Sequence, residues 1–207
     1  MIKITSTPLF VVTAIVFLLI SNNTYSQENE LSVFAGYRVG DDFEDINTGA
    51  TVKIDEGSSY TVVFDSYLDE YSAIEVLYSY QPSNLKSGGT FTGSKIFDLD
   101  IEYLHVGGIR FYPDGKFAKY VVGTVGATHM SPGHGGLDSE TRLSLGLGGG
   151  MKIPFTKKLA MRIEGRGYGT LFNSDSTVFC SNGGCNVHVA GSGFWQFEVS
   201  AGLSLKF

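Results

Sequence analysis

Positive charge is in short supply: 15 lysines and arginines stand against 21 aspartates and glutamates, a net charge of −6. A chain of that sign lacks the basic footprint that nucleic-acid binding needs, so nucleic acid is excluded as a partner. Past residue 26 there is no apolar run approaching the ~20 residues of a membrane-spanning helix. No later segment shows a convincing helical period. Cysteine is confined to Cys180 and Cys185, flanking SNGG. With His188 nearby they make an incomplete ligand set, and no metal or cofactor is implied.

What is present starts at the N-terminus. Lys3 is the only charge before Glu28, and Pro8 to Ile20 (PLFVVTAIVFLLI) is an apolar core of 13 residues. The polar stretch SNNTYSQ follows, with Thr24 and Ser26 at the −3 and −1 positions of a cleavage site. This is the layout of a secretory signal peptide, residues 1–26, cleaved after Ser26. A retained membrane anchor would need a longer apolar run. Removing Lys3 with the signal leaves 14 basic against 21 acidic residues in 27–207, a length that suits one domain.

That domain reads with period two, the signature of strands with two unlike faces. Eight candidate strands emerge: 31–40, 58–65, 71–80, 96–111, 117–128, 141–152, 159–171 and 194–207. The last is the clearest, with Trp195, Phe197, Val199, Ala201, Leu203, Leu205 and Phe207 alternating with polar residues. In the fourth, Phe97, Leu99, Ile101, Tyr103, Ile109 and Phe111 oppose Asp98, Asp100, Glu102 and Arg110. Glycine, 27 of 207, falls among the alternating residues, where strands bend or approach closely.

The connections alternate in length. Short turns follow strands two, four and six (66–70, 112–116, 154–158), and long loops occupy 41–57, 81–95, 129–140 and 172–193. An even strand number with tight turns at one end and long loops at the other is the pattern of a transmembrane barrel. Asp98, Asp100, Glu102, Arg142, Arg162, Glu164, Arg166 and Glu198 share a face opposite the apolar one. A soluble barrel points its charges outward; here they are expected to line the lumen as a paired network, since interior charges need partners. Aromatics near the strand ends, among them Tyr78, Tyr80 and Trp195 toward the loops and Phe111, Tyr120 and Phe207 toward the turns, suggest two interfacial girdles.

The stretches DLDIEYLHVGGIRFYPDGKF (98–117), YVVGTVGATHMSP (120–132), LGLGGGMKIPF (145–155), RIEGRGYGTLF (162–172) and the terminal GFWQFEVSAGLSLKF carry a resemblance. The chain resembles the small eight-stranded bacterial outer-membrane barrels, OmpA-like and OmpX-like, over essentially residues 27–207. The resemblance implies an antiparallel up-and-down barrel integral to the outer membrane, in contact with its lipids and lipopolysaccharide. It also implies that Phe207, with Leu205 and Leu203 in step, is the address read by the barrel-assembly machinery. Related barrels stabilise the membrane, adhere or confer resistance, so a structural or surface-interaction role is expected, with an extracellular ligand left open.

Three further groups bear chemistry. In an exported chain Cys180 and Cys185 are expected to form a disulfide. His129 and Ser131, with Glu140 downstream, resemble the His-x-Ser pair of membrane-embedded lipid A deacylases, in which a histidine base activates serine. Here Pro132-Gly133 follows the serine, which suggests a loop rather than a rigid strand, and the Asn-Ala usual after it is absent. A lipid-modifying enzyme and a narrow solute channel are the rival readings. The run Gly146 to Gly150 stays within strand alternation with no helix after it, and so is not a nucleotide loop.

Overall fold

The computed structural model describes residues 28–40, 42–44, 51–87, 94–133, 138–171, 177–181, 184–188 and 193–207. The expected signal peptide lies outside them. Period-two alternation becomes twelve strands: β1 (Asn29–Gly40), β2 (Asp42–Glu44), β3 (Thr51–Ile54), β4 (Gly57–Tyr67), β5 (Ser72–Ser87) and β6 (Ser94–Asp114), followed by β7 (Phe117–Pro132), β8 (Glu140–Pro154), β9 (Leu159–Leu171), β10 (Thr177–Ser181), β11 (Gly184–His188) and β12 (Gly193–Lys206). Among the described residues there is no helix.

Eight of these strands close on themselves. The ladder runs β5-β4-β1-β12-β9-β8-β7-β6 and returns through a β5–β6 pairing, every pair antiparallel. Closure leaves no free edge, which is what makes a strand wall viable in lipid. The last residue completes the seam: the Phe207 N–H donates to the Asn29 carbonyl (2.9 Å), and the Asn29 N–H donates to the Phe207 carbonyl (3.0 Å).

One end of the barrel carries tight turns at 68–71, 115–116 and 155–158. Gly115 there takes φ 63°, a left-handed conformation that costs glycine little. In the first turn the Tyr71 N–H donates to Asp69 Oδ1 at 2.7 Å, which holds the Asp69 carboxyl below its ordinary value. At the loop end, strands outrun the barrel. β5 continues to Ser87 and β6 starts at Ser94, so much of the expected 81–95 loop is paired ladder. β3 adds to the edge of β5, and β2 to β3. β10 and β11 form a separate hairpin with Cys180 opposite Cys185 in register. The side chains of that pair, and so the expected disulfide, lie outside the described residues.

Two expectations about facing are corrected. In β6 the odd-numbered residues Leu99, Ile101, Tyr103, His105, Ile109 and Phe111 point inward and are buried. Asp98, Asp100, Glu102 and Arg110 therefore face outward, not into the lumen. Arg110 stands near the turn end and donates to the Ser72 hydroxyl at 2.6 Å; for the three acids the reason is length. β6 has 21 residues, about twice the 9–11 of a tilted crossing, so its loop-end half stands in water, where polar residues belong outside. Leu104 and Val106, farther along, are exposed apolar wall. Phe111 and Tyr120, expected in the turn-side girdle, likewise turn inward, whereas Tyr112, Phe117, Phe155 and Phe207 stay exposed.

The interior is filled with side chains, as eight strands require. One buried apolar cluster contains Leu99, Ile101, Tyr103, Met130, Tyr168 and Phe194 toward the loop end. Glycine supplies room where large groups crowd: a Cβ at Gly126 would strike the Leu104 carbonyl and the His105 ring.

Candidate functional site

At the turn end three carboxylates form one cross-strand row. Asp65 on β4 lies directly opposite Glu30 on β1 and Glu75 on β5. All three are inward and at most 1% exposed. Like charges in direct opposition repel, so the row stands because cations reach it from the far wall. Arg162 on β9 places Nη1 2.6 Å from Asp65 Oδ2, and Nη2 3.5 Å from Glu164 Oε2 and 3.6 Å from Glu75 Oε2. Its guanidinium also lies 4.7 Å from the Tyr120 ring centre and 5.3 Å from that of Phe34. At such distances a pair attracts by about 4 kcal/mol at an effective dielectric of 20, most of which offsets the cost of removing the charges from water.

Arg166, one inward step along β9 from Glu164, donates Nε to Glu164 Oε1 at 2.6 Å and Nη2 to Glu75 Oε1 at 2.8 Å. Lys152 on β8 pairs with Glu30 and donates to the Tyr67 hydroxyl at 2.9 Å. The Tyr120 hydroxyl donates to Glu164 Oε2 at 2.8 Å. β1, β4, β5, β7, β8 and β9 thus meet across the lumen through one network.

Farther up, Arg38 pairs with Glu198, its Nε donating at 2.8 Å, and stacks on Tyr168 (4.7 Å) and Tyr103 (5.0 Å). Those two rings stack on each other at 4.3 Å. The Tyr103 hydroxyl donates to Gln196 Oε1 at 2.6 Å, and Gln196 Nε2 donates to Gln81 Oε1 at 3.2 Å. His105 bonds Thr124 through Nδ1 (2.9 Å) and Ser144 through Nε2 (2.7 Å). A plug of rings and amides follows the ionic layer.

The residues expected to line the lumen therefore divide. Arg162, Glu164, Arg166 and Glu198 are brought together inside. Arg142 points inward at the mouth and pairs with Glu140 at 3.0 Å. Asp98, Asp100 and Glu102 are on the outer wall, where the Tyr78 hydroxyl donates to Glu102 Oε1 (2.7 Å) and that of Tyr80 to Asp100 Oδ1 (3.1 Å). Glu30, Asp65, Lys152 and His105 were not anticipated in the network. The parity of their strands was the available signal, since each is in step with inward neighbours.

His129 and Ser131 lie on β7 rather than in a loop, opposite Glu102 and Asp100 and on the outward face. His129 Nδ1 bonds the Thr141 hydroxyl at 2.8 Å. Glu140, in register with the inward Met130, turns into the mouth toward Arg142. The sheet thus separates the acid from the histidine–serine pair. Phe207, Leu205 and Leu203 form an exposed row on the outer wall, Leu205 and Leu203 opposite Leu31 and Val33.

Residues 12–207 match the family model described as outer membrane protein beta-barrel domain. No curated protein matches the sequence. Among solved structures, Neisserial surface protein A aligns with a TM-score of 0.58 at 15% identity, over 86% of this chain and 97% of that one. OprG from Pseudomonas aeruginosa gives 0.60 at 11% identity, over 87% and 96%. The outer membrane protein AlkL, solved in lipid bilayers, gives 0.57 at 14% identity, over 90% and 93%. At these identities the likeness is one of fold.

Proposed function

The chain belongs to the outer membrane protein β-barrel domain family, and from that premise we propose that it is a non-enzymatic barrel with an occluded lumen and a structural or surface-interaction role. It is an integral barrel of the outer membrane; by the asymmetry of such barrels its tight turns face the periplasm and its loop end faces outward. Outer-membrane lipids and lipopolysaccharide surround it, and a ligand of the loop end would be met from outside.

The observation that carries the closed-lumen reading is the layer of Arg162, Arg166, Glu75 and Glu164 spanning the interior, followed by the stacked Tyr103 and Tyr168. An ion entering would have to displace charge-assisted hydrogen bonds and then pass a pair of packed rings. The purified wild-type barrel in planar bilayers should show no stable, large conductance. Sustained open channels would replace this reading with that of a solute channel. The lipid-modifying alternative has lost its acid, because Glu140 and the pair His129–Ser131 occupy opposite faces of the wall. Acyl chains released from lipopolysaccharide by wild type but not by Ser131→Ala would restore it.

A further inference from the structure

Among the described residues, the periplasmic half of the lumen holds more negative than positive charge. Glu30, Asp65, Glu75 and Glu164 face Lys152, Arg162 and Arg166. Arg38 and Glu198 balance each other higher up, and Lys206 with Glu28 does so at the rim. One carboxylate is left over in a space closed to water, where an uncompensated charge is strongly disfavoured. In the same place three buried oxygens have no hydrogen-bond partner: Glu30 Oε1, Asp65 Oδ1 and Glu75 Oε2. Ionised carboxylates only accept, so the three cannot satisfy one another.

One proton removes the excess charge and gives two of the three oxygens a partner. Asp65 is the middle of the row, with a carboxylate directly opposite on either side. It and Glu75 each have a single short contact, to Arg162 and to Arg166, whereas Glu30 is held by Lys152 and Tyr67, and Glu164 by Arg166 and Tyr120; of the two, only Asp65 has a carboxylate opposite it on both sides. We propose that Asp65 is a proton-binding site, its carboxyl protonated in the folded barrel at neutral pH and donating from Oδ1 to Glu30 or Glu75. The titratable and charged groups that face it are Glu30 on β1, Tyr67 on β4, Glu75 on β5, Tyr120 on β7, Lys152 on β8, and Arg162, Glu164 and Arg166 on β9. The bound proton removes the repulsion along the row while Arg162 keeps its contact with Oδ2.

The unfolded chain carries an ordinary aspartate that releases this proton. The folded state therefore binds one proton more, and stability falls as the pH rises from the ordinary aspartate range, levelling off once the folded carboxyl has also released its proton. The full-length mature barrel, refolded in detergent micelles, can be unfolded with urea from mildly acidic to mildly alkaline pH while Trp195 fluorescence is followed. The unfolding equilibrium constant of the wild type should rise with pH, by up to about tenfold per pH unit for one proton. Asp65→Asn, which keeps the shape and a donor, should lose that dependence; Asp100→Asn, altered only on the outer wall, should keep it. Infrared spectra should contain a protonated-carboxyl band at neutral pH that is missing in Asp65→Asn. A flat wild-type profile, a slope retained in Asp65→Asn, or the absence of the band would overturn the assignment. So would restoration of stability at alkaline pH by sodium chloride but not choline chloride, which would make the bound charge a metal cation. If Asp65→Asn fails to refold, loss of the wild-type band as pH is raised decides the matter, and a band that does not titrate refutes the proposal.

Discussion

Arg162 toward the turn end and Ile101 toward the loop end are both fully buried in the same barrel, yet unlike forces hold them. Around Arg162 the contacts are few, directional and charged, and each partner comes from a different strand. Ile101 instead belongs to a buried cluster with Leu99, Met130, Phe194 and the rings of Tyr103 and Tyr168, where apolar packing is non-directional. Apolar packing gains free energy from area and tolerates small changes of shape. An ion network gains little net free energy but suffers greatly when one member is removed, because the others are left buried and unpaired. The turn-end half thus fixes which walls face one another, and the loop-end half fills the space between them.

The difference can be broken at its strongest point first. Arg162→Ala should destabilise the refolded barrel by about 3–5 kcal/mol in urea unfolding, the range for removing one partner of a buried ionic cluster. A loss near that of an ordinary surface substitution would mean that water enters and solvates the acids, and the two halves would then not differ in kind. Ile101→Val sharpens the contrast from the other side. Deleting one buried methylene should cost about 0.5–1.5 kcal/mol without altering the pH dependence of stability. The smallest effect belongs to the outer wall, where Asp98→Asn, Asp100→Asn and Glu102→Gln combined should change stability by about 1 kcal/mol or less. A larger loss in that variant would reveal an energetic role for the Tyr78 and Tyr80 hydrogen bonds.

The strands were legible because lipid outside and charge inside impose opposite polarities on alternate residues. All eight expected strands map onto barrel strands, and Arg162, Glu164, Arg166 and Glu198 could be assigned to the inner face by parity alone. Parity failed in β6 because the same alternation reverses meaning beyond the bilayer, where Asp98 and Asp100 meet water outside while Leu99 and Ile101 pack within. It failed for Phe111 and Tyr120 because a ring near a strand end serves either an interface or a lumen. Partner choice was not legible either. Arg162 and Asp65 are separated by 97 residues, and only closure of the barrel brings their strands to facing walls. His129 and Ser131 looked like loop residues because of Pro132-Gly133, yet β7 runs on to Pro132 in register with β6.

The 21 residues of β6 have a consequence for reach. At about 3.3 Å per residue the strand is roughly 69 Å long, and a tilted crossing uses about 9–11 residues of it. The remaining ten or so, at about 40° tilt, raise the end of the β5–β6 ladder roughly 25 Å above the lipid. Height decides the order of contact: a body approaching the membrane from the loop side touches this projection, with Asp98 and Asp100 on its flank, before it touches the bilayer. Because two strands are bonded along the projection, its stand-off distance is held in a way that a single looping chain could not maintain.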